Sequence, residues 1–249
     1  MGIVLAAVGG LLIGSFFNVV IWRLPRGESI VSPGSHCPNC GQAVRPYDNI
    51  PVVSWLLLGG KCRDCRNSIS IRYPAVELLT GLLTTAVALF KHSAHDIALD
   101  EVLVLVLVPV AMIDLDHRII PNVILAPAAV AAVVLGVVTR VSGLPEQLIA
   151  GAAAAVFFFA FALAYPRGMG MGDVKLAGVL GLFLGKSVAV AILIALVLGV
   201  AVGAGLMVKL GVERGRKTAV PFGPFLSAGA VAAIFCGAQV VHWYVHSIV

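Results

Sequence analysis

The sequence predicts an all-α polytopic membrane protein, with about eight transmembrane helices and one small polar module between the first two. Three observations predict it. Hydrophobic side chains make up 60% of the 249 residues and charged ones only 12%, outside the range of an ordinary soluble domain. The mean hydropathy is +1.03. Long Ala/Val/Leu/Gly tracts recur at lengths close to the roughly 20 apolar residues that cross about 30 Å of hydrocarbon.

The candidate spans cover residues 2–22, 75–91, 97–114, 120–139, 145–165, 173–185, 187–208 and 222–247. The first apolar run, Ile3 to Trp22, has no basic residue before it. A secretory signal peptide carries its positive charge upstream of the apolar core, so this run is expected to remain as a helix. Residues 176–208 number 33, and one helix of that length would measure roughly 50 Å, too long for one crossing. A break at Gly185 and Lys186 is predicted.

Charge placement fixes an orientation. With the N-terminus outside, thirteen of the seventeen basic residues face the cytoplasm: seven between Arg23 and Arg72, then Arg118, Arg167 and four from Lys209 to Lys217. Outside loops keep Lys91, Arg140 and Lys186, and Lys175 lies in a helix. This is the positive-inside pattern. The net charge of +5 is thereby explained by the bilayer, and no nucleic-acid partner is predicted. The expected location is a cytoplasmic (inner) membrane. The chain divides into a first helix (1–22), a cytoplasmic module (23–74) and a multi-helix domain (75–249).

The module holds two CxxC pairs, Cys37-Pro-Asn-Cys40 and Cys62-Arg-Asp-Cys65, separated by 21 residues. This is close to the spacing by which a zinc ribbon presents four thiolates tetrahedrally. Two disulfides or a redox pair compete, but structural disulfides are rare in a reducing cytoplasm. A segment of this size builds little core and needs a metal or the membrane helices for support. Four protein ligands leave no position for water, so the expected zinc is structural. His36 adjoins the cluster but is superfluous. His92, His95 and Asp96 are read as solvated, and Cys236 in the last apolar run as a small buried hydrophobe.

Of twelve acidic residues, four fall at membrane depth: Glu77, Asp114, Asp116 and Asp173. Ionisable groups there cost several kcal/mol unless paired or hydrated, which makes each a candidate functional group. The charge-derived topology brings Asp114 and Asp173 to one membrane level, at the cytoplasmic ends of the third and sixth helices. Two carboxylates sharing a water hydrolyse peptides when one acts as base and the other, protonated, polarises the carbonyl. The plainer alternative has Asp173 capping its helix and Asp114 or Asp116 merely solvated. Asp114 and Asp116 lie about 200° apart around a helix axis, so they are not expected to face one partner. Glu77 is expected to pair with a basic group or to be functional. The glycines of Gly168-Met-Gly-Met-Gly-Asp173 are expected to admit a substrate backbone closely.

These residues resemble the type IV prepilin peptidases, GxGD-type intramembrane aspartic proteases. The resemblance is carried by Gly14-Ser-Phe-Phe-Asn-Val-Val-Ile-Trp-Arg-Leu-Pro25, the paired CxxC with Ser70-Ile-Arg-Tyr-Pro74, and Ile113-Asp114 with Ile120-Pro121-Asn122. Gly170-Met-Gly-Asp173-Val-Lys-Leu176 and Pro221-Phe-Gly-Pro-Phe225 complete it. It implies Asp114 and Asp173 as the catalytic pair and Cys37, Cys40, Cys62 and Cys65 as zinc ligands. It implies prepilin and pseudopilin substrates cut after a glycine, and N-methylation of the new terminus with S-adenosylmethionine. No Gly-rich loop of the dinucleotide-binding kind accompanies that second activity. Two other functions are weighed: a proton- or ion-coupled transporter using the aspartates, and a noncatalytic pilus or secretion assembly factor. Transport sites usually lie near the midplane rather than at one face.

Overall fold

The computed structural model describes residues 2–165, 169–211, 213, 218 and 220–248. Arg167, Gly168, Arg214, Arg216 and Lys217 lie outside the described residues. The chain divides into two compact units, Met1–His92 and Ser93–Val249.

The first unit contains α1 (Gly2–Arg23), the short α2 (Val53–Leu57) and α3 (Arg72–Phe90). Helices α1 and α3 pack along a seam of small residues. A Cβ added at Gly14 would lie 2.8 Å from the Glu77 Cα, so only glycine allows this approach. The Thr84 hydroxyl reaches across to donate to the Ala6 carbonyl at 2.9 Å. At the end of α1, Arg23 is buried, and its guanidinium donates to the carbonyls of Ser29 (3.0 Å), Pro33 (2.7 Å) and Gly34 (3.4 Å). One side chain thereby moors the loop that leads to the first CxxC pair.

The second unit contains α4 (Ala94–His117), α5 (Asn122–Arg140), α6 (Leu144–Ala164), α7 (Met171–Leu184), α8 (Val188–Leu210) and α9 (Gly223–Ile248). Leu103, Leu107, Val110 and Ile113 form a buried stripe along α4 at helical spacing. It faces a core shared with Leu176 and Leu180 of α7 and Leu226 of α9. Helices α6 and α7 touch at glycines, since a Cβ at Gly181 would lie 2.5 Å from the Gly151 Cα.

Among the described residues, five stretches are long and apolar enough to cross a membrane: Gly2–Arg26, Arg72–Phe90, Asn122–Ala164, Met171–Leu210 and Gly223–Ser247. Two of them, of 43 and 40 residues, are interrupted by turns at Val141–Gly143 and Gly185–Ser187. The second turn falls at the predicted break, with Gly185 at φ 53°, a conformation that favours glycine. Helix α4 is less apolar, since it carries Asp96, Asp100, Glu101, Asp114 and Asp116. Large apolar side chains such as Val4, Val138 and Val200 are exposed, as expected of surfaces that meet lipid.

Candidate functional site

Within the second unit, Asp114 and Asp173 line one cavity of about 280 Å³. Asp114 sits on the last turn of α4 and is 5% exposed. That helix ends at Arg118, whose φ of 55° is left-handed and whose N–H donates to the Asp114 carbonyl at 2.9 Å. From the other side, the N–H of Gly223 at the start of α9 donates to Asp114 Oδ2 at 2.9 Å. This bond fixes the rotation of the carboxyl group and leaves Oδ1 available to the cavity. A side chain at Gly223 would put its Cβ 2.6 Å from Asp114 Oδ2.

Asp173 occupies the first turn of α7 and is partly exposed. Its Oδ2 accepts the Gly170 N–H at 3.3 Å, while its own N–H donates to the Gly170 carbonyl at 3.1 Å. The helix-capping reading of Asp173 therefore holds, and the same side chain faces the cavity. Asn122, at the start of α5, accepts from Lys175 Nζ at 3.0 Å. That bond ties the α5 and α7 ends together at the cavity rim, where Arg118 also lies.

Asp116 is exposed and is not part of the cavity lining, in keeping with its opposite position around α4. Gly170 and Gly172 both line the cavity, and Gly172 has a packing reason as well. A Cβ at Gly172 would lie 3.0 Å from Ile120 Cβ, so this glycine serves packing of α7 on the α4–α5 turn. Gly170 lines the cavity with ordinary clearance.

The first unit gathers Cys37, Cys40, Cys62 and Cys65 with all four sulfurs within 4.8 Å of one another. A tetrahedral ion with metal–sulfur bonds of about 2.3 Å separates its ligands by about 3.8 Å, and Cys37 Sγ and Cys65 Sγ are 3.8 Å apart. Two equivalent knuckles make this cluster. Cys37 N–H donates to the Gln42 carbonyl and Gly41 N–H to Cys37, as Cys62 N–H donates to Asn67 and Arg66 N–H to Cys62. Each is closed by an isolated bridge, His36 to Ala43 and Lys61 to Ser68. The left-handed position is Gly41 in one and Arg66 in the other, which hides the repeat in sequence.

Backbone donors aim at the sulfurs. The Asn67 N–H and then the Asn39 amide hold the Cys65 thiol down at about 7, and the Cys40 and Asn39 N–H groups lower Cys37. Cys40 is pushed up to about 11 although the Gln42 N–H favours its thiolate, because desolvation and the other three thiols outweigh that bond. Four adjacent sulfurs resist joint ionisation until a cation joins them. Arg63 and Asp64, between the second pair of cysteines, reach back to the 45–48 turn. Arg63 makes a two-pronged bond to Asp48 at 2.7 and 2.6 Å, and Arg45 pairs with Asp64 at 3.5 Å.

Among the described residues no other histidine, cysteine or acidic group joins a metal-like cluster. His36 bonds the Gly34 carbonyl, His95 bonds Thr139, and Cys236 donates within its own helix to Ala232. Glu77, expected to pair with a basic group or to be functional, is buried and accepts the Val52 N–H at 2.7 Å. Sequence reasoning missed the roles of Arg23 and Gly223, which act through backbone groups and leave no charge pattern to read.

These parts define a class: a polytopic helical membrane protein with a paired-aspartate cavity in one unit and a four-thiol, metal-ready module in the other. Comparison with known proteins narrows the class. Residues 8–91 match the bacterial peptidase A24 N-terminal domain, and residues 102–204 match the type IV leader peptidase family. The chain is 37% identical to a type 4 prepilin-like proteins leader peptide-processing enzyme of Escherichia coli O78:H11, over 93% of each chain. It is 34% identical to a prepilin leader peptidase/N-methyltransferase of Pseudomonas aeruginosa, over 94% of this chain and 90% of that one. A Myxococcus xanthus protein of the same name is 42% identical over 70% of this chain and 54% of its own length. No solved structure matches. The chain belongs to the type IV leader peptidase family.

Proposed function

We propose that this protein is a prepilin peptidase that removes basic leader peptides from prepilins and pseudopilins after a glycine, using Asp114 and Asp173. The single observation that carries the reading is that these two aspartates, 59 positions apart in sequence, line one small cavity. One carboxylate takes a proton from water while the other, protonated, polarises the scissile carbonyl. The proton then passes to the departing amine. The Gly223 bond to Asp114 and the Gly170 bond to Asp173 each hold one carboxyl oxygen, so the remaining oxygens are positioned before substrate arrives.

Eight crossings, with both candidate acids at the cytoplasmic face of the inner membrane, follow from the charge pattern and suit this substrate. A prepilin keeps its basic leader in the cytoplasm and its apolar stem in the bilayer. The relatives' names support peptidase action and N-methylation of the exposed terminus. The described residues form isolated bridges but no sheet, so they contain no doubly wound methyl-donor site. We assign no residue to S-adenosylmethionine. The sulfur separations and backbone donors suit zinc held by Cys37, Cys40, Cys62 and Cys65, where four protein ligands give it a structural role. In the domain division that follows, residues 23–74 scaffold and the multi-helix domain from residue 75 catalyses, with both aspartates in the unit Ser93–Val249.

The test is incubation of the purified protein with a prepilin-like substrate, with and without S-adenosylmethionine, followed by mass spectrometry. Release of an intact leader and a product heavier by one methylene are expected. Folded protein that leaves the substrate whole would favour transport or assembly.

A further inference from the structure

The short helix α2 presents an unusual surface for a polar module. Val53, Leu56 and Leu57 are 48%, 63% and 82% exposed, and Ile50, three residues before the helix, is 49% exposed. The opposite face is fully engaged: Ser54 Oγ donates to the Tyr47 carbonyl at 2.9 Å and Trp55 Nε1 to the Ile69 carbonyl at 3.1 Å. The backbone N–H groups of Leu56, Leu58 and Gly59 are satisfied within the helix and its closing turn. Such a segment tolerates hydrocarbon, because it brings no orphan backbone donors there.

Its depth follows from α3. That helix has 19 residues, about 28 Å at 1.5 Å per residue, which barely equals the hydrocarbon thickness. Arg72 and Tyr73 at its start must therefore lie at the headgroups. Trp22 at the end of α1 is half exposed with the Arg26 guanidinium 3.8 Å above its ring, an interfacial pairing at the same end of the bundle. Glu77 lies five residues farther in, about 7 Å below that level. Its carboxylate accepts the Val52 N–H at 2.7 Å, and Val52 directly precedes α2. The bond moors the start of α2 beside a spanning helix, below the headgroups.

We propose that α2 is a membrane keel, its apolar Val53, Leu56 and Leu57, with Ile50 just before it, inserted among the acyl chains of the leaflet beneath the cysteine module. Exposed Lys61 and Arg66 follow it in the second knuckle, at the height of anionic headgroups. The keel fixes the module's height against the bilayer independently of what the protein cleaves.

The experiment places a photoreactive diazirine amino acid singly at Leu57, at Val4 on the lipid-facing surface of α1, or at Gln42 in the first knuckle. The full chain is embedded in nanodiscs of phosphatidylethanolamine and phosphatidylglycerol. After illumination, phospholipid adducts are counted by mass spectrometry, with retained metal as the check of folding. The expected result is lipid labelling at Leu57 equal to that at Val4 and about tenfold above Gln42, as insertion into the acyl region requires. Labelling at Leu57 no higher than at Gln42 would overturn the keel. So would a crosslink from Leu57 to residues 93–249 or to a second copy.

Discussion

The Gly223 N–H meets Asp114 Oδ2 at 2.9 Å, joining the first residue of α9 to the last turn of α4 across 109 positions of sequence. A glycine opens α9 because a methyl group there would stand 2.6 Å from that carboxyl oxygen.

Gly223→Ala should therefore swing the Asp114 carboxyl off its bond while leaving the helices intact. The expected loss is about 100-fold in kcat with a nearly unchanged thermal midpoint, since misplacing a reacting group by about 1 Å costs that much. Cleavage kinetics and a melting curve on one preparation check both halves.

Glu77→Leu should destabilise the first unit by about 1–3 kcal/mol, because the part-buried Val52 N–H would be left without its acceptor. The strain nearby sharpens the effect. Val52 has φ 61° and ψ −50°, and Val53 N–H donates back to the Pro51 carbonyl at 2.5 Å. This is a γ-turn of the strained kind, held in part by the Glu77 carboxylate. Denaturant titration of the variant measures the loss, and Glu77→Gln, which keeps an acceptor, should recover most of it.

Acid should strip a metal ion held by the four cysteines. They would bind it as thiolates, and backbone N–H groups hold Cys37 below the usual thiol range and Cys65 at about 7. Groups lowered in the folded state favour binding above those values and lose it as pH falls through them, because protons then compete for sulfur. Metal content measured against pH should fall on acidification, and the thermal midpoint should fall with it by about 5 °C or more. A structural metal also predicts that Cys37→Ser loses stability and activity together. A well-folded but inactive Cys37→Ser protein would contradict that division of labour.

Much of this was legible in sequence, for identifiable reasons. Apolar runs located α1 and α3 to α9 to within a few residues, because lipid exposure makes hydropathy a direct record of helix position. Charge counting put two acids 59 positions apart at one level, and the two line one cavity. The CxxC pairs read as a cluster because the ligand chemistry allows few other arrangements. What stayed hidden acts through the backbone. Gly223 and Val52 contribute N–H groups, and Arg23 finds three carbonyls, so no side-chain pattern announced them. The glycine before Asp173 had a plain sequence signal but a further, unread reason: Gly172 lines the cavity and also packs closely against Ile120.

The most direct test of the central claim compares wild type with Asp114→Asn, Asp173→Asn and Asp116→Asn in cleavage of a prepilin-like substrate, each variant first shown to melt like the parent. Cleavage abolished in the first two and retained in the third is the predicted result, since only Asp114 and Asp173 share the cavity. Cleavage that survives in either the Asp114 or the Asp173 variant would contradict the account.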